Sequence, residues 1–131
     1  MEAYRSALRI LAAADCTKSR LIKKLISKGF DEASATLAAD RCEGEGYIRE
    51  AEFAIHTADK LFLQGKGPSL TLEKLKSMEF SESALSCALE HMKGLDYEGS
   101  ARGYYASEIK KGVPRQRILA ALYKRGFDIE Q

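Results

Sequence analysis

Apolar residues recur along the chain at helical spacing. Ile22 and Leu25, Leu72 and Leu75, and Leu119 and Leu122 stand eight and five residues before Phe30, Phe80 and Phe127 respectively. Residues three apart lie on one helical face, so each block predicts a short amphipathic helix closed by an aromatic side chain. The block recurs about every fifty residues, a period that signals tandem modules. After each Phe comes a residue suited to accept from the free amides of a new helix: Asp31, Ser81 and Asp128. A third helix is expected from Glu32 to about Glu43, with Ala35, Leu37 and Ala38 on or near its apolar face and Gly44 and Gly46 as its stop. Its counterpart runs from Glu82 to about Lys93, before Gly94. Only Ile129-Glu130-Gln131 follow Asp128, too few for an independent helix, so the third copy reads as short by one.

Each copy is preceded by another amphipathic segment: Ala7 to Ala14, Glu50 to Leu63, and Ser100 to Lys111. Pro68 and Pro114 each follow a Lys-Gly pair and suit the first turn of the next helix, where proline lacks only an amide that would be unpaired anyway. The expected fold is all-α, tandem three-helix repeats in a 3+3+2 pattern, divided as 1–46, 47–95 and 96–131. Leu75 and its equivalents belong to the core, and the tyrosines at 47, 104 and 105 are expected in core or inter-module packing.

Composition narrows the function classes. With 45% hydrophobic and 31% charged residues, and no apolar run near the roughly 20 residues needed to span a bilayer, the chain reads as a soluble folded protein without a membrane segment. No signal-like apolar core follows Met1, so a cytoplasmic location is expected. Cys16, Cys42 and Cys87 are odd in number and far apart, which reads as buried thiols and not as disulfides or a zinc site. His56 and His91 lack partners at ligand or catalytic spacing, and Gln64-Gly65-Lys66-Gly67-Pro68 lacks the spacing of a phosphate-binding loop. No metal, cofactor or catalytic residue is therefore expected, and the chain is read as a non-enzyme.

The ordered set Ala7-Leu8-Arg9-Ile10-Leu11, then Thr17, Leu21, Leu25 and Gly29-Phe30 at their spacing, then Gly46-Tyr47-Ile48, Phe53-Ala54 and Lys66-Gly67-Pro68 resembles the RecX family of bacterial RecA regulators over almost the whole chain. Two positions depart from that family's pattern. Arg49-Glu50 replaces one of the acidic residues usual after Gly46-Tyr47-Ile48, and Arg20 replaces the glutamate that would complete a capping box with Thr17. The resemblance implies an elongated, curved helical array lodged in the groove of the RecA–single-stranded DNA filament, inhibiting its growth, ATP hydrolysis and strand exchange. It implies in turn that recombination, DNA repair and the SOS response are tempered.

The net charge of +2 is too mild to announce a nucleic-acid binder, so any basic surface must be local. Lys110, Lys111, Arg115, Arg117, Lys124 and Arg125 crowd the C-terminal segment, with Lys66 a further candidate and Lys23, Lys24 and Lys28 a second cluster. These residues are expected to contribute electrostatics to partner binding by a monomer. Two alternatives stand: direct binding of single- or double-stranded DNA through backbone phosphates, and a helical adaptor for an unrelated protein.

Overall fold

The computed structural model describes residues 2–128. Within them the chain forms eight α-helices and no strand: α1 Glu2–Ala13, α2 Lys18–Ser27, α3 Glu32–Gly44, α4 Glu50–Leu63, α5 Pro68–Ser77, α6 Glu82–Met92, α7 Tyr97–Lys110 and α8 Arg115–Lys124. The helical repeats expected from the periodicity are present. Ile129-Glu130-Gln131 lie outside the described residues.

Local chemistry explains most boundaries. The side chains of Thr17, Asp31 and Ser81 accept from the amides of Arg20, Ser34 and Ala84, so α2, α3 and α6 start where a polar cap precedes the apolar pattern. Asp96 does the same for Gly99, which starts α7 at Tyr97 and not at Ser100. α1 begins at Glu2, ahead of the expected Ala7, because Ala3 joins Ala7 in the core. Pro68 is the first residue of α5, whereas Pro114 sits one residue outside α8 in extended geometry, so the two prolines are not equivalent.

Buried side chains fall into three cores. The first joins Ala3 and Ala7 of α1, Leu21 and Leu25 of α2, and Ala35, Ala38, Ala39 and Cys42 of α3. In the second, Ala54 and Ala58 of α4 meet Ala84, Ala88 and Met92 of α6 over Leu75 of α5. The third is Ile118, Leu122 and Phe127, walled by Tyr97, Tyr104 and Tyr105. Alanines let α1 approach α3, and α4 approach α6, at short range, while Leu21 and Leu25 in the first core and Leu75 in the second fill the remaining space.

Three expectations need correction here. The innermost repeat position lies nine residues before Phe, at Leu21, Thr71 and Ile118; the residues eight before are only half-buried. Leu37 is 62% exposed, because Ala35, Ala38, Ala39 and Cys42 already occupy the inner face of α3. Cys87 is exposed on α6, while Cys16 and Cys42 are buried.

Candidate partner-binding surface

The second helices of the modules, α2, α5 and α8, meet end to end in reverse chain order. Beyond α8, the Arg125 carbonyl accepts from the Gly67 amide at 2.7 Å and the Gly126 carbonyl from the Ser69 amide at 3.0 Å. Carbonyls left over at one helix end thus take amides left over at the start of another. The approach is backbone to backbone: a Cβ on Gly67 would lie 2.4 Å from the Gly126 carbonyl carbon, and one on Gly126 2.4 Å from Leu70 Cβ. The Lys66-Gly67-Pro68 stretch is therefore a docking point as well as a helix start.

Side chains make the corresponding joint between α5 and α2. Arg20 donates to the Ser77 carbonyl at 3.1 Å, and the Glu79 carboxylate pairs with Lys23, lies 3.5 Å from Arg20 Nε, and accepts from the Ser19 hydroxyl at 3.4 Å. Glu50, at the start of α4, accepts from the Lys18 amide with one oxygen and the Ser81 amide with the other, each at 2.8 Å. A carboxylate from another module thus reaches the N-terminus of α2, where Arg20 replaces the local one. Lys18 itself pairs with Asp40 at 2.6 Å and Glu43 at 3.1 Å, contacts that raise its pKa. Lys18, Arg20 and Lys23 are in this way committed to ion pairs, whereas Arg5, Arg9, Lys24 and Lys28 are exposed and have none among the described residues.

The C-terminal cations are placed differently. Lys110, Arg115, Arg117 and Lys124 are exposed and have no ion-pair partner among the described residues; Lys111 lies 3.9 Å from Glu108. Arg117 and Lys124, seven residues apart, share one face of α8, roughly 10 Å apart along its axis. Arg115 and Arg117 occupy a first turn without an acidic residue, the end of the helix where a cation costs about 0.3–1 kcal/mol. The guanidinium of Arg125 is half-buried, 4.4 Å over the Tyr104 ring and against Gly65, and so belongs partly to the joint. Lys66 stands apart from the α8 cations, half-buried on a groove with Leu61, Leu70, Glu73, Lys74 and Ser77.

Other polar residues are structural in position. His91 Nε2 lies 2.6 Å from Asp59, a partnership the linear spacing does not reveal, and it ties α6 to α4. Tyr104 and Tyr105 are half-buried in the third core, but Tyr47 is 54% exposed, against the packing expected of it. Among the described residues no cluster of three His, Cys, Asp or Glu side chains could hold a metal ion, and no helix is long and apolar enough to cross a membrane.

This architecture is that of a tandem helical-repeat protein, whose repeats stack to present side chains along an extended surface. A family model described as "RecX, first three-helix domain" matches residues 3–42, the span of α1 to α3. The chain is 28% identical over 127 residues to the Regulatory protein RecX of Xanthomonas oryzae pv. oryzae (strain MAFF 311018), covering 93% of this chain and 79% of the relative. Against the Regulatory protein RecX of Syntrophotalea carbinolica it is 29% identical over 139 residues, covering 96% and 88%. Its fold matches a solved structure described as "Crystal structure of regulatory protein RecX" with a TM-score of 0.78 and 20% identity, over 97% of this chain and 66% of that one. In its first three helices, in sequence along nearly its whole length and in fold, the chain is similar to the RecX family of regulatory proteins.

Proposed function

We propose that this chain binds the RecA–single-stranded DNA filament as a monomer in the bacterial cytoplasm, and restrains filament growth, ATP hydrolysis and strand exchange by contact, without catalysis of its own. The observation that carries this reading is the set of exposed cations on α7 and α8 that have no ion-pair partner among the described residues, two of which stand at the helix end that electrostatically disfavours them. Their position sacrifices a little helix stability, which is understandable if a partner's anions complete them. Lys110, Lys111, Arg115, Arg117 and Lys124 form the primary contact, with Lys66 and Arg125 contributing from the neighbouring groove and joint.

The deciding experiment titrates this protein into the cognate RecA on single-stranded DNA while ATPase is followed, with binding to bare DNA measured alongside. Substoichiometric loss of ATPase with little bare-DNA binding is expected. Unchanged ATPase with tight, salt-steep binding to bare DNA would replace the reading with a nucleic-acid module, since phosphate contacts make affinity fall with salt. Replacing Arg115, Arg117 and Lys124 together by Ala is expected to weaken inhibition about tenfold, or about 1.4 kcal/mol, with the helical circular dichroism intact. Full inhibition by that variant would remove these residues from the interface.

A further inference from the structure

The two joints of the array are built from different materials. At the joint of α8 with α5 the contact is main chain on main chain, Gly67 to Arg125 and Ser69 to Gly126, with glycine at both points of closest approach. At the joint of α5 with α2 the equivalent of Gly126 is Glu79, each one residue before its module's Phe. Gly29 and Gly126 hold φ of 104° and 96° there, and Glu79 is forced into the same left-handed region at 62°, the only non-glycine among the described residues to adopt it. Glycine would satisfy this turn without strain. What glutamate adds is a carboxylate aimed across the joint at Lys23, Arg20 and Ser19, seconded by Glu50 bridging the Lys18 and Ser81 amides.

The geometry points to a conformational device: Glu79 is an ionic clasp that makes the first joint the place where the array bends, opened by salt, while the glycine joint holds the second and third modules as one body. Glu79, Lys23 and Arg20 are all partly exposed, so ions reach the clasp, whereas the Gly67 amide bonded to Arg125 is buried. Opening it changes the angle at which the first module is presented relative to the cations of α7 and α8.

Paired spin labels test this in the full chain. Exposed Cys87 of α6 serves as the common site, with Leu37→Cys reporting the first joint and Ser107→Cys the second, and the buried Cys16 and Cys42 replaced by Ala. Between about 0.1 M and about 1 M salt the Debye length falls from about 10 Å to about 3 Å. Over that range the 37–87 distance distribution should broaden, and the 87–107 distribution should not. Glu79→Gly, which keeps the turn and removes the carboxylate, should give the broad 37–87 distribution even at low salt. A 37–87 distribution indifferent to both salt and Glu79→Gly, or two joints that respond alike, overturns the proposal. Small-angle scattering of the unlabelled chain supplies a second reading: its radius of gyration should change with salt in the natural protein and not in Glu79→Gly, and a salt-independent value for the natural protein would equally overturn it.

Discussion

Thr71 occupies the innermost position of the second repeat, where the other modules carry Leu21 and Ile118, and its hydroxyl is buried without a hydrogen-bond partner among the described residues. The hydroxyl of neighbouring Tyr97 lies beside it and also falls short of hydrogen-bond geometry; burial raises the Tyr97 pKa, and the adjacent Thr71 hydroxyl opposes that rise. An unpaired buried hydroxyl costs about 1–3 kcal/mol, so Thr71→Val should stabilise the protein by about 1 kcal/mol and raise the urea midpoint; a lowered midpoint would mean that the hydroxyl is satisfied. Leu75→Ala at the fully buried leucine of the same helix should cost about 2–5 kcal/mol, and a melting midpoint equal to the parent's would contradict the core assignment. Thr71 also shows how a core position escapes sequence reading: a polar residue interrupted the apolar column, so Leu72 beside it looked like the inner one. At α3 the error ran the other way. Leu37 drew attention by its hydrophobicity, while the alanines that form the contact carry a weak signal because their value lies in close approach and not in transferred area.

At the scale of elements, the helices were legible because caps, apolar spacing and breakers agree on each of them, as Thr17, Asp31 and Ser81 illustrate. The joints were not legible, since they join residues far apart in sequence and use amides and carbonyls that every residue possesses. Gly67 reads locally as a helix boundary, and only its close approach to the backbone of Gly126 and Phe127 explains why no side chain fits there. Gly126→Ala would put a Cβ against Leu70 and strain a positive φ, for an expected loss of about 1–3 kcal/mol in chemical denaturation. Unchanged stability would mean that the joint yields freely. The ionic contacts between elements set the pH window. Hydrogen bonds from Ser34, Tyr4 and Lys23 hold the carboxyls of Asp31, Glu45 and Glu79 below their usual range, so their stabilisation is present above the unfolded value near 4 and is lost as pH falls through the lower folded values. Tyr4, bonded to Glu45, is pushed up to about 12, so its contribution is present below about pH 10 and disappears as pH rises through the folded value. Burial also raises the thiols of Cys16 and Cys42, whose contribution is fully present only below the unfolded thiol value of about 8.5, so thermal midpoints should be flat between about pH 5 and about pH 8 and fall on both sides; a midpoint that keeps rising below pH 4 would refute the acidic arm.

For the whole molecule, the candidate surface was legible as a cluster of cations but not as a surface. Sequence placed Lys110, Lys111, Arg115, Arg117, Lys124 and Arg125 in one segment; the fold separates Arg125, stacked over Tyr104, from the exposed others, and draws the Lys18 to Lys23 cations into pairs. If the free cations meet phosphate, replacing each by Ala should lower the salt slope of binding by about 0.7–0.9 per contact; if they meet an acidic protein surface, the shortfall should depend on RecA being present. The glycine joint has a consequence in time. The amide of Gly67 closes only when Arg125 arrives, across 58 residues of chain (125 − 67), so a ribosome must make almost the whole described protein before the middle module receives its last cap. The first core draws only on residues up to Ile48 and can assemble earlier. Nascent chains halted near residue 95 should therefore leave the start of α5 open to hydrogen exchange while the first module is already protected.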